Sequence, residues 1–379
     1  MTSIGGASTG MVDWNLAVAT ATRLVRPGPD VSADEARAVV AELRRHAKSS
    51  EGHVRGFTRL GTEEGHDTPV LVVDRPGWIR ANVAGFRELL KPLLDKMQDR
   101  RGDTPGGTVM SAVGGKVTGV ELGMLLSFLA SRVLGQYETF APATRQFPAG
   151  GPDAPNGGGR LLLVAPNIVH VERELDVDPH DFRLWVCLHE ETHRTQFTAV
   201  PWLRDHLEGE IQSFLGETDV DPMTVLERVR EAAQSLAGGR PEAEEDDGGR
   251  SFVEIVQTPA QREILARLTA VMSLLEGHAD FVMDGVGPDV VPSVGEIREK
   301  FQQRRAKGAS RLDLALRKLL GLDAKLRQYR DGERFVRAVV DEVGMDGFNR
   351  VWTSPNTLPT KTEIAKPADW IARVHRRAE

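Results

Sequence analysis

DPHDFRLWVCLHEETHRTQFTAVP, residues 178–201, decides how the rest of the chain is read. Asp178 is a good N-cap, Pro179 suits the first helical position and Pro201 supplies a stop, so the stretch predicts one helix of roughly twenty residues. HEETH, residues 189–193, falls near its middle. Side chains four apart share a helix face, so His189 and His193 can both direct an imidazole nitrogen at one metal about 2.0 to 2.1 Å away. Glu190 stands about 100° around the helix from His189, next to that face, where it can take a proton from a metal-bound water. A string of this form arises by chance in roughly a few per cent of chains of this composition, so context has to carry the reading. The competing reading is a helix whose two histidines are surface or core residues without metal.

A third ligand has to come from elsewhere. The metzincin continuation would place Gly at 196 and His at 199, where this chain has Gln196 and Ala199. Downstream, Thr258, Pro259 and Gln261 form a capping-box start, and the helix that follows runs to a stop at Gly285. Within it stands EGHAD, residues 276–280. Glu276 and Asp280 are again four apart, so one carboxylate can bind metal while the other accepts an N–H from a ligating histidine. His278 competes for the place of third ligand, but it points about 200° away from Glu276, so both cannot serve one metal from a regular helix. We favour Glu276, with His278 as the alternative.

At 379 residues the chain is long enough for two domains or for one large domain with insertions. Its hydrophobic and charged fractions, 40% and 27%, are those of an ordinary water-soluble globular protein, and no stretch approaches the ~20 apolar residues of a membrane span. A net charge of −7, with no basic tract interleaved with aromatics, argues against nucleic-acid binding. The N-terminus lacks the basic lead and apolar core of a secretory signal, so the cytoplasm is the expected location. The single cysteine, Cys187, cannot form an internal disulfide and reads as a core residue.

Helical periodicity dominates the rest. Asp13 is expected to cap a helix ending near Val25, and Ser32 with Glu35 to open a second. VLVVD (70–74) and RLLLVAP (160–166) read as strands. A helix from Trp78 is expected to be interrupted at Pro92. Thr118 with Glu121 is expected to open a helix that is apolar all round and therefore buried. Residues 1–12 read as a flexible N-terminus and 13–379 as a single unit, with mobile loops near 102–107, 149–159 and 238–251.

Three stretches, NIVHVERELDVDPHDFRLWVCLHEETHRTQF, LLEGHADFVMD and WTSPNTLPTKTEIAKPADWIARV, carry a resemblance that spans nearly everything from Asp13 to Val374. Through them the chain resembles a family of zincin-like hydrolases common in actinobacteria, known as a domain of unknown function, some members of which are labelled as associated with biosynthesis of a deazaflavin coenzyme. The resemblance implies a mostly helical zincin-like fold, a metal held by His189, His193 and a downstream acidic residue, and Glu190 as the catalytic glutamate.

The expected fold is therefore mainly α with a few short β-strands, a zincin-like metallopeptidase core in which the HExxH helix packs on a second ligand-bearing helix. The expected activity is that of a zinc hydrolase, a metallopeptidase with one Zn2+ per chain and a peptide or other amide as substrate. Its rival is a non-catalytic protein keeping zinc as a structural or regulatory centre. Tyr137, Tyr329, Arg183, Arg194 and His206 are candidates for the group that steadies the oxyanion.

Overall fold

The computed structural model describes residues 12–61, 68–101, 107–140, 159–217, 258–307 and 322–375. Most of the three expected loops, residues 102–106, 149–158 and 238–251, and of the N-terminus, residues 1–11, lies outside the described residues. The fold is mainly α with a small three-stranded sheet. Its contacts divide the chain into two compact units: Met1–Pro201 with Val282–Arg304, and Trp202–Phe281 with Arg305–Glu379.

In the first unit the helices α1 (Trp14–Leu24) and α2 (Ala33–Thr58) start where the sequence caps them. Asp13 accepts from the amide of Leu16 at 2.9 Å and Ser32 from that of Glu35 at 3.1 Å, each satisfying a donor that the first turn leaves open. Strand β1 (Val70–Val73) leads into α3 (Arg75–Arg101) and α4 (Gly107–Ala130). Then come strands β2 (Gly135–Glu138) and β3 (Arg160–Val164), and helices α5 (Ala165–Leu175) and α6 (Pro179–Ala199).

Strand β3 is central, parallel to β1 and antiparallel to β2. All five of its residues are buried, and alternate side chains enter different cores. Leu163 joins a cluster built from α2, α5 and α6, while Leu162 and Val164 join one built from α1, α3 and α4. Covering both faces explains why this strand is a continuous apolar run with no alternation.

Two helical expectations are corrected. α3 runs unbroken through Pro92; both Glu88, whose carbonyl loses its partner there, and Pro92 are exposed, so water can reach the freed group. α4 starts at Gly107, well before Thr118, because a threonine followed three residues later by glutamate also fits a helix interior. Nor is α4 buried all round: Val120 is 37% and Met124 49% exposed.

The second unit contains α7 (Pro201–Gly216) from its second residue, most of α8 (Pro259–Gly285) and α10 (Leu322–Phe348), which is broken at Gly344. After two short 3-10 turns, Asn349–Trp352 and Pro355–Thr357, it ends with α11 (Lys361–Ala365) and α12 (Pro367–His375). The start of α8 is a reciprocal capping box: Thr258 Oγ1 accepts from the Gln261 amide and Gln261 Oε1 from the Thr258 amide, each at 3.0 Å. Further along, α8 meets α10 at backbone distance. A Cβ on Gly277 would strike the Gly332–Glu333 backbone, and one on Gly332 would strike the Ser273 carbonyl. The last turn of α8, from Val282, belongs to the first unit, as does most of α9 (Val294–Lys307). No helix among the described residues is long and apolar enough to cross a membrane.

Candidate metal centre

α6 is built to carry a buried polar pair. Asp178 caps it by accepting from the Asp181 amide at 3.0 Å, and Pro179 occupies its first turn. From Leu184 to Phe197 every residue is buried except His189 and His193, which are half-buried. The two imidazoles are therefore the opening in an otherwise closed stretch of helix.

Their geometry fits a metal. The two Nε2 atoms lie 3.2 Å apart, with the rings edge to face. Two bonds of about 2.1 Å meeting across that gap enclose about 100°, close to the tetrahedral angle of zinc. The outward nitrogens each have a partner. His193 Nδ1 lies 3.0 Å from Gln196 Oε1, and His189 Nδ1 lies 3.1 Å from Met283 Sδ. A carboxamide oxygen and a thioether sulfur accept from Nδ1–H, and in that tautomer both Nε2 atoms are available to a cation placed between them.

Glu190 is 6% exposed and packs against β2. The contact is with Gly135: a Cβ there would stand 2.5 Å from Glu190 Cγ, 2.6 Å from Cδ and 2.8 Å from Oε1. Two residues on, and so on the same face of the strand, Tyr137 stacks on Phe197 at 5.6 Å. The missing side chain at 135 is the room in which the carboxylate lies.

The remaining acidic residue of the motif is structural. Glu191 is fully buried, and burial pushes its carboxyl up to about 7 against the opposing pull of Arg194, 2.7 Å away. Arg194 also reaches Glu51 of α2 at 3.3 Å and the Thr68 carbonyl at 3.2 Å.

A family model of zincin-like metallopeptidases matches residues 12–371, nearly the whole chain. The chain belongs to the zincin-like metallopeptidase family. It is also similar to a solved structure described as a "putative hydrolase with a novel fold" from Chloroflexus aurantiacus. The two are 31% identical with a TM-score of 0.65, over 96% of this chain and 99% of that one. No curated protein matches. Family and neighbour together support a zinc hydrolase.

In this zincin-like chain the arginine candidates for oxyanion stabiliser are committed elsewhere, Arg194 as described and Arg183 between Glu172 and Glu42. Tyr137 lies on Phe197, His206 is edge-on to Trp202 at 6.0 Å, and the side chain of Tyr329 lies outside the described residues. His278 is fully buried, its ring 5.1 Å from that of Phe348 and 5.5 Å from that of Trp352. Glu276 and Asp280 are half-buried.

Sequence reading passed over Gln196, Met283 and Gly135. Two of them carry a signal. Gln196 stands three residues after the candidate ligand His193, and Met283 seven residues after the candidate ligand Glu276, so each shares a helix face with one of them. Gly135 carries none, because its value is an absence of atoms beside a residue remote in sequence.

Proposed function

We propose that this protein is a zinc-dependent peptidase in which His189, His193 and Glu276 hold one zinc and Glu190 is the general base. The observation that carries the proposal is the approach of the two Nε2 atoms to 3.2 Å. Helix geometry supports Glu276 as third ligand. Met283, whose Sδ lies 3.1 Å from His189 Nδ1, stands seven residues after Glu276 on one unbroken helix, and seven residues fall about 20° short of two full turns, leaving both on one face. From Ser273 to Met283 only Glu276 and Asp280 escape full burial, the same spacing of four by which the histidines open α6. His278 has its ring among aromatics of its own unit, which favours a packing role.

His189, His193 and Glu276 would hold the ion, and the chemistry it would supply there is acidification of a water and polarisation of an amide carbonyl. Glu190 accepts the proton that the attacking water loses and passes it to the departing amine. Its burial and its fixed clearance beside Gly135 hold the carboxylate in one place. A structural zinc site has no use for such a base. Among the described residues β2 is one of the two edge strands of the sheet, and an extended peptide pairing with that edge would pass close to Glu190.

Elemental analysis of protein purified without added metal tests the site. His193→Ala and Glu276→Ala are each expected to lower the zinc content of the wild type by one ion per chain. Peptide libraries should then be cleaved by the wild type and not by Glu190→Gln. Metal-free wild type that takes up no added zinc would overturn the proposal.

A further inference from the structure

A second group of ligating side chains lies in the first unit, on residues the family site does not use. His46 of α2 is only 7% exposed, yet its Nε2 makes no hydrogen bond. It lies 3.5 Å from Oε1 of Glu42, one turn earlier on the same helix face. His180, in the first turn of α6, brings Nδ1 to 3.0 Å from that same oxygen, and its ring stands edge-on to His46 with centroids 4.6 Å apart. One ligand atom from each of the three lies within 4.8 Å of the other two. The other carboxylate oxygen of Glu42 is held by Arg183, which Glu172 grips from its far side at 2.9 and 2.5 Å. Oε1 is thereby left turned towards the histidines.

We propose that Glu42, His46 and His180 form a second metal site that takes a first-row divalent transition metal such as Zn2+ or Ni2+. Two imidazoles and a carboxylate suit these ions, whereas Mg2+ and Ca2+ call for oxygen donors throughout. Donors bonded at about 2.0 to 2.2 Å around a tetrahedral ion are about 3.3 to 3.5 Å apart, and the separations of 3.0 and 3.5 Å on Glu42 Oε1 already approach that. The charges nearby allow a cation. Arg183 is answered by Glu172, and the positive end of α6 by Asp178 and Asp181 in its cap and first turn. His180 is exposed, so water can complete the coordination.

His180 precedes His189 by nine residues of helix, about 13.5 Å, so one ion cannot serve both places. An ion here ties α2 to the first turn of the helix that carries HEETH. The role is that of a staple, which holds the α6 start without touching substrate.

The test uses the full chain with His189→Ala and His193→Ala together, which removes the motif pair. Equilibrium dialysis against zinc chloride, read by elemental analysis, is expected to find one zinc retained, and zinc is expected to raise the thermal midpoint. Adding His180→Ala should abolish both effects; this side chain is exposed, so its loss leaves the fold intact. No zinc retained in the double variant overturns the proposal, as does zinc that survives His180→Ala. The two readings fail separately: wild type holds two zinc ions if both are right and one if either is wrong, and the double variant tells which.

Discussion

Replacing Gly135 with alanine puts a methyl group where the side chain of Glu190 now lies. The added carbon would sit 2.5 Å from Cγ and 2.6 Å from Cδ, against an optimum of about 3.5 to 4.0 Å for carbon pairs. At least about 1 Å has to be recovered. The strand cannot simply withdraw, because Gly135 is paired with Leu163 on the buried central strand. Glu190 has to move. Overpacking of this kind costs about 1–3 kcal/mol, and a catalytic group displaced by about 1 Å can lose on the order of 100-fold in rate. The stability part can be measured without knowing the substrate. In a Glu190→Ala background the atoms that clash are gone, so Gly135→Ala should be neutral there or stabilise by up to about 1 kcal/mol through the unfolded chain. Urea unfolding of the four proteins of this cycle, all stripped of metal, is expected to give a coupling energy of about 1–3 kcal/mol. Additivity within about 0.5 kcal/mol would refute the claim that the two residues share this space.

Gln196→Leu removes the acceptor for His193 Nδ1 and should weaken zinc binding by about 10- to 100-fold; chelator competition measures this, and unchanged affinity would show that the tautomer is set elsewhere. Glu363 is raised by burial but lowered further by hydrogen bonds from Arg373 and the Thr360 amide, so its carboxyl lies below the ordinary value. A lowered folded-state value means stability that is present above the ordinary carboxylate pKa and lost as pH falls through the folded one. Glu363→Gln is therefore expected to cost about 1.5–3 kcal/mol at pH 7, with a deficit that closes below about pH 4.5; a deficit independent of pH sinks this account. Burial pushes the Cys187 thiol well up, with Glu190 and Glu191 adding to it. Iodoacetamide should thus leave it unmodified in the native protein and label it fully in urea, and rapid native labelling would contradict the burial.

What the sequence made legible is what is written within a few residues. The caps at Asp13, Ser32, Asp178 and Thr258 act across three positions and stand where their spacing puts them. The HExxH helix and its paired imidazoles depend on a spacing of four, equally local. The failures lie where distant segments decide. β2, GQYE, has no apolar alternation, and its strand character comes from pairing with β3. From sequence His278 and Glu276 compete on equal chemical terms; packing against Phe348 and Trp352 is a tertiary fact. His46 and His180 meet only because α2 lies along α6. α4 misled for a related reason, since apolar residues all round predict burial only if neighbours exist on every side, and Val120 and Met124 have open water on theirs.

The pairing of β2 with β3 ends at Glu138 opposite Arg160, both buried and joined as an ion pair. A slip of one residue would shift the strand by about 3.3 Å and turn every side chain to the opposite face. It would separate that pair inside the core, at a cost of about 3–5 kcal/mol, and in the same movement bring a larger residue than Gly135 up to Glu190. Misregistered molecules would thus carry a spoiled site and an unstable fold together. Quality-control proteases, which detect instability and know nothing of activity, would remove the defective copies and leave the correctly assembled ones.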